Sequence, residues 1–422
     1  MPSKYVLQAD FLTARPLSEV LGRENGFGLL RLLLAISVIL AHANPLGMGT
    51  SDLGADWSHG QTGLGAVAVA GFFVLSGLLI TRSGMRLSTA RFLWSRAIRI
   101  LPGLWACLLL TAFVLAPAVA RHEHLLDGFW SHPQGPWEYV RANWSTGVNQ
   151  WSISGLLAHN PHASSFNGSI WSLAYEALCY VVVAALAATG LLRRARWAVL
   201  GTVAVLYGYT VHLALDYPQL RAPGYAPTGL PDWRLPLLGT INMDMLIPLG
   251  LLFGLGAVAE LYKTHIRMNG IAALVAFGIL VGAVRFGGYL VIGIPALAYL
   301  LLWIAAFTPR PLTRIGSKVD LSYGVYIYAF PIQQTLTLWH VPVHGYAVYT
   351  GASVALSILA AFFSWYVVEK PALKLKNIGS SRTHRRPPVP HQPAGATVSA
   401  PRAAFEKSPR TEATRPEAAD RW

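Results

Sequence analysis

Ten apolar stretches, each long enough to cross a hydrocarbon core, recur along this chain of 422 residues. They fall near 27–47, 64–82, 100–120, 170–190, 197–215, 236–260, 270–286, 289–307, 321–341 and 345–368. A helix of about 17–25 apolar residues spans a bilayer, and the hydrocarbon offers backbone amides no outside partner. The prediction is an all-α fold: a polytopic membrane bundle of about ten transmembrane helices. Composition agrees, with 54% hydrophobic residues and only 12% charged, where soluble domains carry about 25% charged. The first stretch carries Arg31 internally and no small-residue cleavage site, so it reads as a retained span and not a signal peptide.

The net charge of +14 does not point to nucleic acid, because the basic residues lie between spans or in the tail. One set of connections holds Arg82, Arg86, Arg91, Arg96 and Arg99, then Arg193, Arg194 and Arg196, Lys263 and Arg267, and Arg310, Arg314 and Lys318. The opposite set holds only Arg121, Arg141, Arg221 and Arg234. That asymmetry predicts a multi-pass protein of the cell inner or plasma membrane with both termini cytoplasmic. Three segments follow: a cytoplasmic N-terminal segment 1–26, a membrane domain 27–376, and a basic Pro/Ala-rich tail 377–422 expected to be disordered. Cys107 and Cys179 both fall inside spans and read as small core residues. Asn143-Trp-Ser and Asn167-Gly-Ser match the glycosylation sequon, and chance accounts for them. No metal-ligand spacing is present.

Polar residues at membrane depth mark functional faces. Arg31 and His42 are eleven residues apart in the first span. Eleven steps of about 100° place both on one helix face, about 16 Å apart along the axis. Glu176, about six residues into the fourth span, is expected at the depth of His42, so a base and its partner carboxylate are expected to meet. In the second span Phe72 and Ser76 share a face, and Gly77 permits close backbone approach. Arg91, Arg96 and Arg99 precede the third span and suit phosphate groups or anionic lipid headgroups. Tyr323 and Tyr326 stand at the start of the ninth span, where Pro331 should kink the helix. The long outer loop 121–169 carries Trp130, Trp137, Trp144 and Trp151 at seven-residue spacing. That spacing suits an amphipathic helix on the membrane or exposed faces for sugar stacking, although Pro133 and Pro136 oppose one continuous helix. The scattered loop histidines, His162 among them, read as surface residues.

Six patterns occur in order: R-x10-H at Arg31 and His42, FF-x-x-S-G at 72–77, R-x-x-R-I-x-P at 96–102, W-S-L-x-x-E at 171–176, S-Y-G-x-Y-x-x-x-x-P at 322–331, and WYVVEKP at 365–371. Together they resemble the acyltransferase-3 family of integral membrane O-acyltransferases, over about residues 24–376. The resemblance implies transfer of an acyl group, most often acetyl, from a cytoplasmic acyl-CoA such as acetyl-CoA to a hydroxyl. Acceptors in the family include cell-surface polysaccharides, glycolipids, Nod factors and macrolides. Carried over, Arg31, His42 and Glu176 are expected in catalysis. Arg96 and Arg99, with Arg91 beside them, are expected at the donor. Ser76, Trp171, Tyr323 and Tyr326 are the candidate substrate contacts and oxyanion donors, with no choice among them. Membrane lipid, acyl-CoA and a glycan or glycolipid acceptor are the expected partners. The rival reading is a proton-coupled secondary transporter of a glycan or lipid-linked precursor, which intramembrane His, Glu and Asp would suit. Against it, no internal repeat is visible.

Overall fold

A computed structural model describes residues 13–22, 24–163, 165–216 and 229–377. The expected tail lies outside the described residues apart from Asn377. Ten helices follow the apolar windows: α1 (Phe27–Ala43), α2 (Leu64–Arg86), α3 (Thr89–Leu110), α4 (Ser172–Ala188), α5 (Arg196–Asp216), α6 (Met243–Leu261), α7 (Gly270–Phe286), α8 (Ile294–Phe307), α9 (Ser322–Leu338) and α10 (Tyr346–Ser364). Single π-helical turns prolong α1, α3 and α10 and lead into α8. Eight of the ten, with these turns, are long and apolar enough to cross a membrane. The others, α7 and α9, have 17 residues each. The only strands among the described residues are short pairs, Arg15–Pro16 with Arg267–Met268 and Trp233–Leu235 with Gly239–Ile241. The protein is an all-α, multi-pass membrane bundle.

α9 is the centre of that bundle, for a reason its composition gives. It carries three tyrosines, two glutamines and two threonines, and every residue from Ser322 to Leu338 is buried. Polar side chains at this depth are stable only where protein supplies their partners. Gln333 donates to the Ile39 carbonyl of α1, and Gln334 donates to the carbonyls of His162 and Ser165. By contrast α5 turns most of its surface outward, as a lipid-facing helix can. Pro331 removes one backbone donor, which frees the carbonyl four residues earlier. That carbonyl, Ile327, accepts from Asn167 Nδ2 at 3.0 Å and from the Cys107 thiol at 3.2 Å.

α2 and α6 approach closely through glycines. A Cβ on Gly77 would collide with the Phe253 carbonyl, and one on Gly256 with the Val74 carbonyl. The contact is reciprocal, so Gly77 is a packing residue as its motif suggested.

The long loop between α3 and α4 is not a surface helix. Ala116–His122 continues α3 as α-helix; beyond it Pro136–Asn143 is the one α-helix among the described residues before α4, and the rest is tied down by side chains. Asn143 donates to the Gln150 carbonyl and accepts from the amides of Asn149 and Gln150, while Asn160 donates to the side-chain and main-chain oxygens of Gln334. Trp130 and Trp137 pack on Phe113 of the turn that prolongs α3, and Trp105 of α3 donates to the Trp144 carbonyl. Of the four loop tryptophans, Trp151 is the one that lines the cavity at His42. Asn143 and Asn167 are each only 1% exposed, so neither sequon can carry a glycan in this fold.

Candidate active site

α1 presents one face to three cavities. At its basic end Arg31 lines a cavity of about 1190 Å³ together with the 310–318 turn. Arg31 also lines a narrow middle cavity of about 50 Å³. Val38 and His42, further along the helix, line a third of about 640 Å³. Val69 and Tyr326 border both the middle and the third. The shared residues connect the three in series along α1, which is what a polar face running through a membrane bundle requires.

At the basic end, four motifs meet in one ion network. Arg31 pairs with Asp320 at 3.0 Å, and Arg99 pairs with Asp320 at 2.7 Å and with Glu369 at 2.8 Å. Ser322 donates to Asp320 through its hydroxyl and its amide. Ser364 donates to Glu369. The Arg99 guanidinium lies over the rings of Tyr323 and Trp365. Burial alone would raise the Asp320 carboxyl, but Arg31, Arg99 and the Ser322 donors hold it below the usual carboxylate range. Two cations and two carboxylates balance, so Arg99 is committed to joining α3, α9 and the end of α10. Arg96, one turn earlier, makes no ion pair among the described residues and lies within electrostatic reach of Tyr180 and Glu176.

In the middle cavity, Glu176 does not meet His42. Its Oε1 accepts from Ser76 at 2.7 Å and from Tyr180 at 2.6 Å, and it lines the same cavity as Arg31. The reason lies before α4. Residues Ser165–Ile170 are largely buried against α9, with Ser169 donating to the Tyr326 carbonyl. The helix therefore begins inside the protein, and a count along the apolar window does not bring Glu176 to His42. Tyr326 donates to the Ser169 carbonyl at 2.7 Å and sits 2.7 Å from the Ser172 hydroxyl. These contacts narrow the passage between the inner and third cavities.

The third cavity combines apolar walls with unsatisfied polar atoms. Met245, Pro248, Leu249 and Leu252 of α6 form one wall. His42 Nδ1, Ser165 Oγ and Asp52 Oδ1 are all buried without a hydrogen-bond partner among the described residues. His42 and His162 each set a ring edge against Phe330, at 5.3 and 5.8 Å between centroids. The other Asp52 oxygen accepts from Gly65 in the first turn of α2 at 3.1 Å. Burial raises the Asp52 carboxyl, opposed by the amides of Gly65 and Leu53. Buried polar atoms are ordinarily satisfied, so three orphans in one cavity point to a polar ligand.

The structure also separates the four candidate donors. Ser76 is spent on Glu176, Tyr323 on the Ile100 carbonyl and Tyr326 on the Ser169 carbonyl. Trp171 lines the His42 cavity, and its indole N–H has no hydrogen-bond partner among the described residues. Arg91 is exposed near the basic end of α3. Sequence reasoning passes over Asp52, Ser165, Asp320 and Glu369, and it reads His162 as a surface residue where the structure sets it at the cavity. Asp320 and Glu369 had a faint signal, since one directly precedes S-Y-G and the other stands inside WYVVEKP. Asp52, His162 and Ser165 come from loops whose folding alone brings them to the cavity.

A polar path thus joins the basic end of this helical membrane bundle to a buried histidine. The chain matches the family model described as an acyltransferase domain over residues 24–366, belongs to that acyltransferase-3 family, and is an acyltransferase. It is 28% identical over 363 residues to an O-acetyl transferase of Shigella phage Sf6, covering 82% of this chain and 96% of that protein. It is 27% identical over 386 residues to nodulation protein 10 of Rhizobium leguminosarum bv. viciae, covering 84% of this chain and 95% of the relative. No solved structure matches. Family membership decides for the enzyme and against the transporter.

Proposed function

We propose that this acyltransferase moves an acetyl group from cytoplasmic acetyl-CoA to a hydroxyl of a cell-surface polysaccharide, glycolipid or related glycan. The basic end of the bundle faces the cytoplasm of a cell whose inner or plasma membrane holds the protein, with both described ends of the chain on that side. The observation that carries the reading is the third cavity, where three orphan polar atoms surround a space of about 640 Å³. An acceptor hydroxyl bound there lies beside His42. The imidazole takes the hydroxyl proton as the oxygen attacks the thioester carbonyl. Trp171 donates to the oxygen on which negative charge develops. Collapse breaks the carbon–sulfur bond, and the departing thiolate takes a proton from the imidazolium. Arg31 and Glu176 line the passage that the extended thioester arm enters, and Arg96 offers it a free cation. The names of the O-acetyl transferase relative and of the family support acetyl as the acyl group. The apolar α6 wall favours a lipid-linked glycan as acceptor, and would equally suit an amphipathic small molecule such as a macrolide.

His42→Ala tests this reading. Purified wild-type protein should release free thiol from acetyl-CoA in the presence of surface glycan from a deletion strain, and the glycan should gain an acetyl mass. Loss of one general base costs about 10²–10⁴-fold. Near-wild-type turnover in a folded His42→Ala protein would sink the assignment.

A further inference from the structure

The largest of the three connected cavities has no role in the transfer just described. It opens at the basic end, holds about 1190 Å³, and is walled by the start of α1 and the turn 310–318. Arg310, Arg314 and Lys318 line it, all exposed and none in an ion pair among the described residues. Glu24, on the rim, is exposed. The turn is fixed over α1 by two glycines. Gly316 has a φ of +72°, and a Cβ on either Gly316 or Gly28 would collide with the other strand of backbone. So close a crossing holds the three cations over the cavity mouth as a rigid bracket, and a backbone in this conformation favours glycine.

From this geometry we infer that the 310–318 bracket is the docking site for the phosphorylated nucleotide end of the acyl-CoA, its diphosphate and its 3′-phosphate. The inference rests on the proposed acyl-CoA donor. Three uncommitted cations match a group that carries several negative charges, and guanidinium forks suit phosphate oxygens. Arg99 of the R-x-x-R motif is poorly placed for that work, because it is bound to Asp320 and Glu369. Position also fits. Arg31 borders both this cavity and the middle one, so a thioester arm leaving the bracket past Arg31 heads along α1 towards His42. The bracket thus sorts donors by their phosphates, while the passage receives the arm.

The test titrates the full chain, in nanodiscs of phosphatidylcholine alone, with CoA, 3′-dephospho-CoA and pantetheine. Wild-type protein should bind CoA at least about tenfold more tightly than 3′-dephospho-CoA, the effect expected of one charge-assisted contact. The Arg310→Gln/Arg314→Gln/Lys318→Gln variant should lose that preference and bind pantetheine as before. Its exposed positions leave the fold intact, which an unchanged melting temperature checks. Arg310→Lys/Arg314→Lys should restore part of the preference. An undiminished preference for CoA in the glutamine variant would overturn the inference. So would an unchanged CoA affinity accompanied by reduced co-purification of phosphatidylglycerol from cells, because the bracket would then hold lipid headgroups. If wild-type protein binds none of the three and releases no thiol from acetyl-CoA, the donor reading itself fails, and the inference fails with it.

Discussion

At the level of single residues, groups that hold the fold stand apart from groups that face the cavities. Glu369 belongs to the first set. Its carboxylate is 3% exposed and pairs with Arg99 at 2.8 Å. Removing one partner of a buried pair costs about 3–5 kcal/mol, and here Asp320 remains, so the lower end applies. Glu369→Gln should lower the melting temperature in detergent clearly while changing CoA affinity little. A stable Glu369→Gln protein with altered CoA affinity would return Arg99 to the donor. Asp52 belongs to the second set. Its free oxygen faces the cavity, and burial raises its carboxyl. The group therefore takes up its proton at a higher pH than the ordinary carboxylate value of about 4. If the ionised form binds an acceptor hydroxyl, KM for the acceptor should rise as pH falls through that raised midpoint. Asp52→Asn should show a high KM at every pH with thiol release from acetyl-CoA retained. Superimposable KM profiles for the two proteins would remove Asp52 from the acceptor site.

Elements show what a sequence can and cannot disclose. The helices were legible because each span needs a continuous apolar run, and each of the ten windows overlaps one of the ten helices. The Arg31–His42 face was legible too, since helical geometry alone fixes which side chains share a side. The partners of those residues were not. Asp320 is 289 positions from Arg31, and Glu369 is 270 from Arg99, and no local rule selects such pairs. Glu176 meets Ser76 and Tyr180 and not His42, because the segment before α4 is itself buried on α9. In the loop 121–169 the seven-residue period does not mark one surface helix, since only Pro136–Asn143 is α-helical between the first and last of its tryptophans. Its tryptophans divide between packing on the α3 surface and, at Trp151, lining the cavity. Shortening the loop between Arg121 and Asn160 should therefore impair acceptor modification and spare acetyl-CoA binding. Full acceptor modification in a folded, shortened protein would place the acceptor elsewhere.

Across the whole molecule, charge and cavity run in one direction. Basic residues gather at one end, the ion network fixes α3, α9 and α10 there, and a passage lined by α1 leads to the orphan polar atoms around His42. The middle cavity, at about 50 Å³, is room for little more than a water or two. On the proposed mechanism, the arm of the donor displaces the contacts of Ser76 and Tyr326 as it enters. On the proposed mechanism, donor and acceptor approach from opposite faces. Sealed proteoliposomes test it most directly, with surface glycan from a deletion strain enclosed and acetyl-labelled acetyl-CoA supplied outside only. The enclosed glycan should acquire label with wild-type protein and not with His42→Ala. Label that appears only when glycan and acetyl-CoA share one side of the membrane would contradict the account.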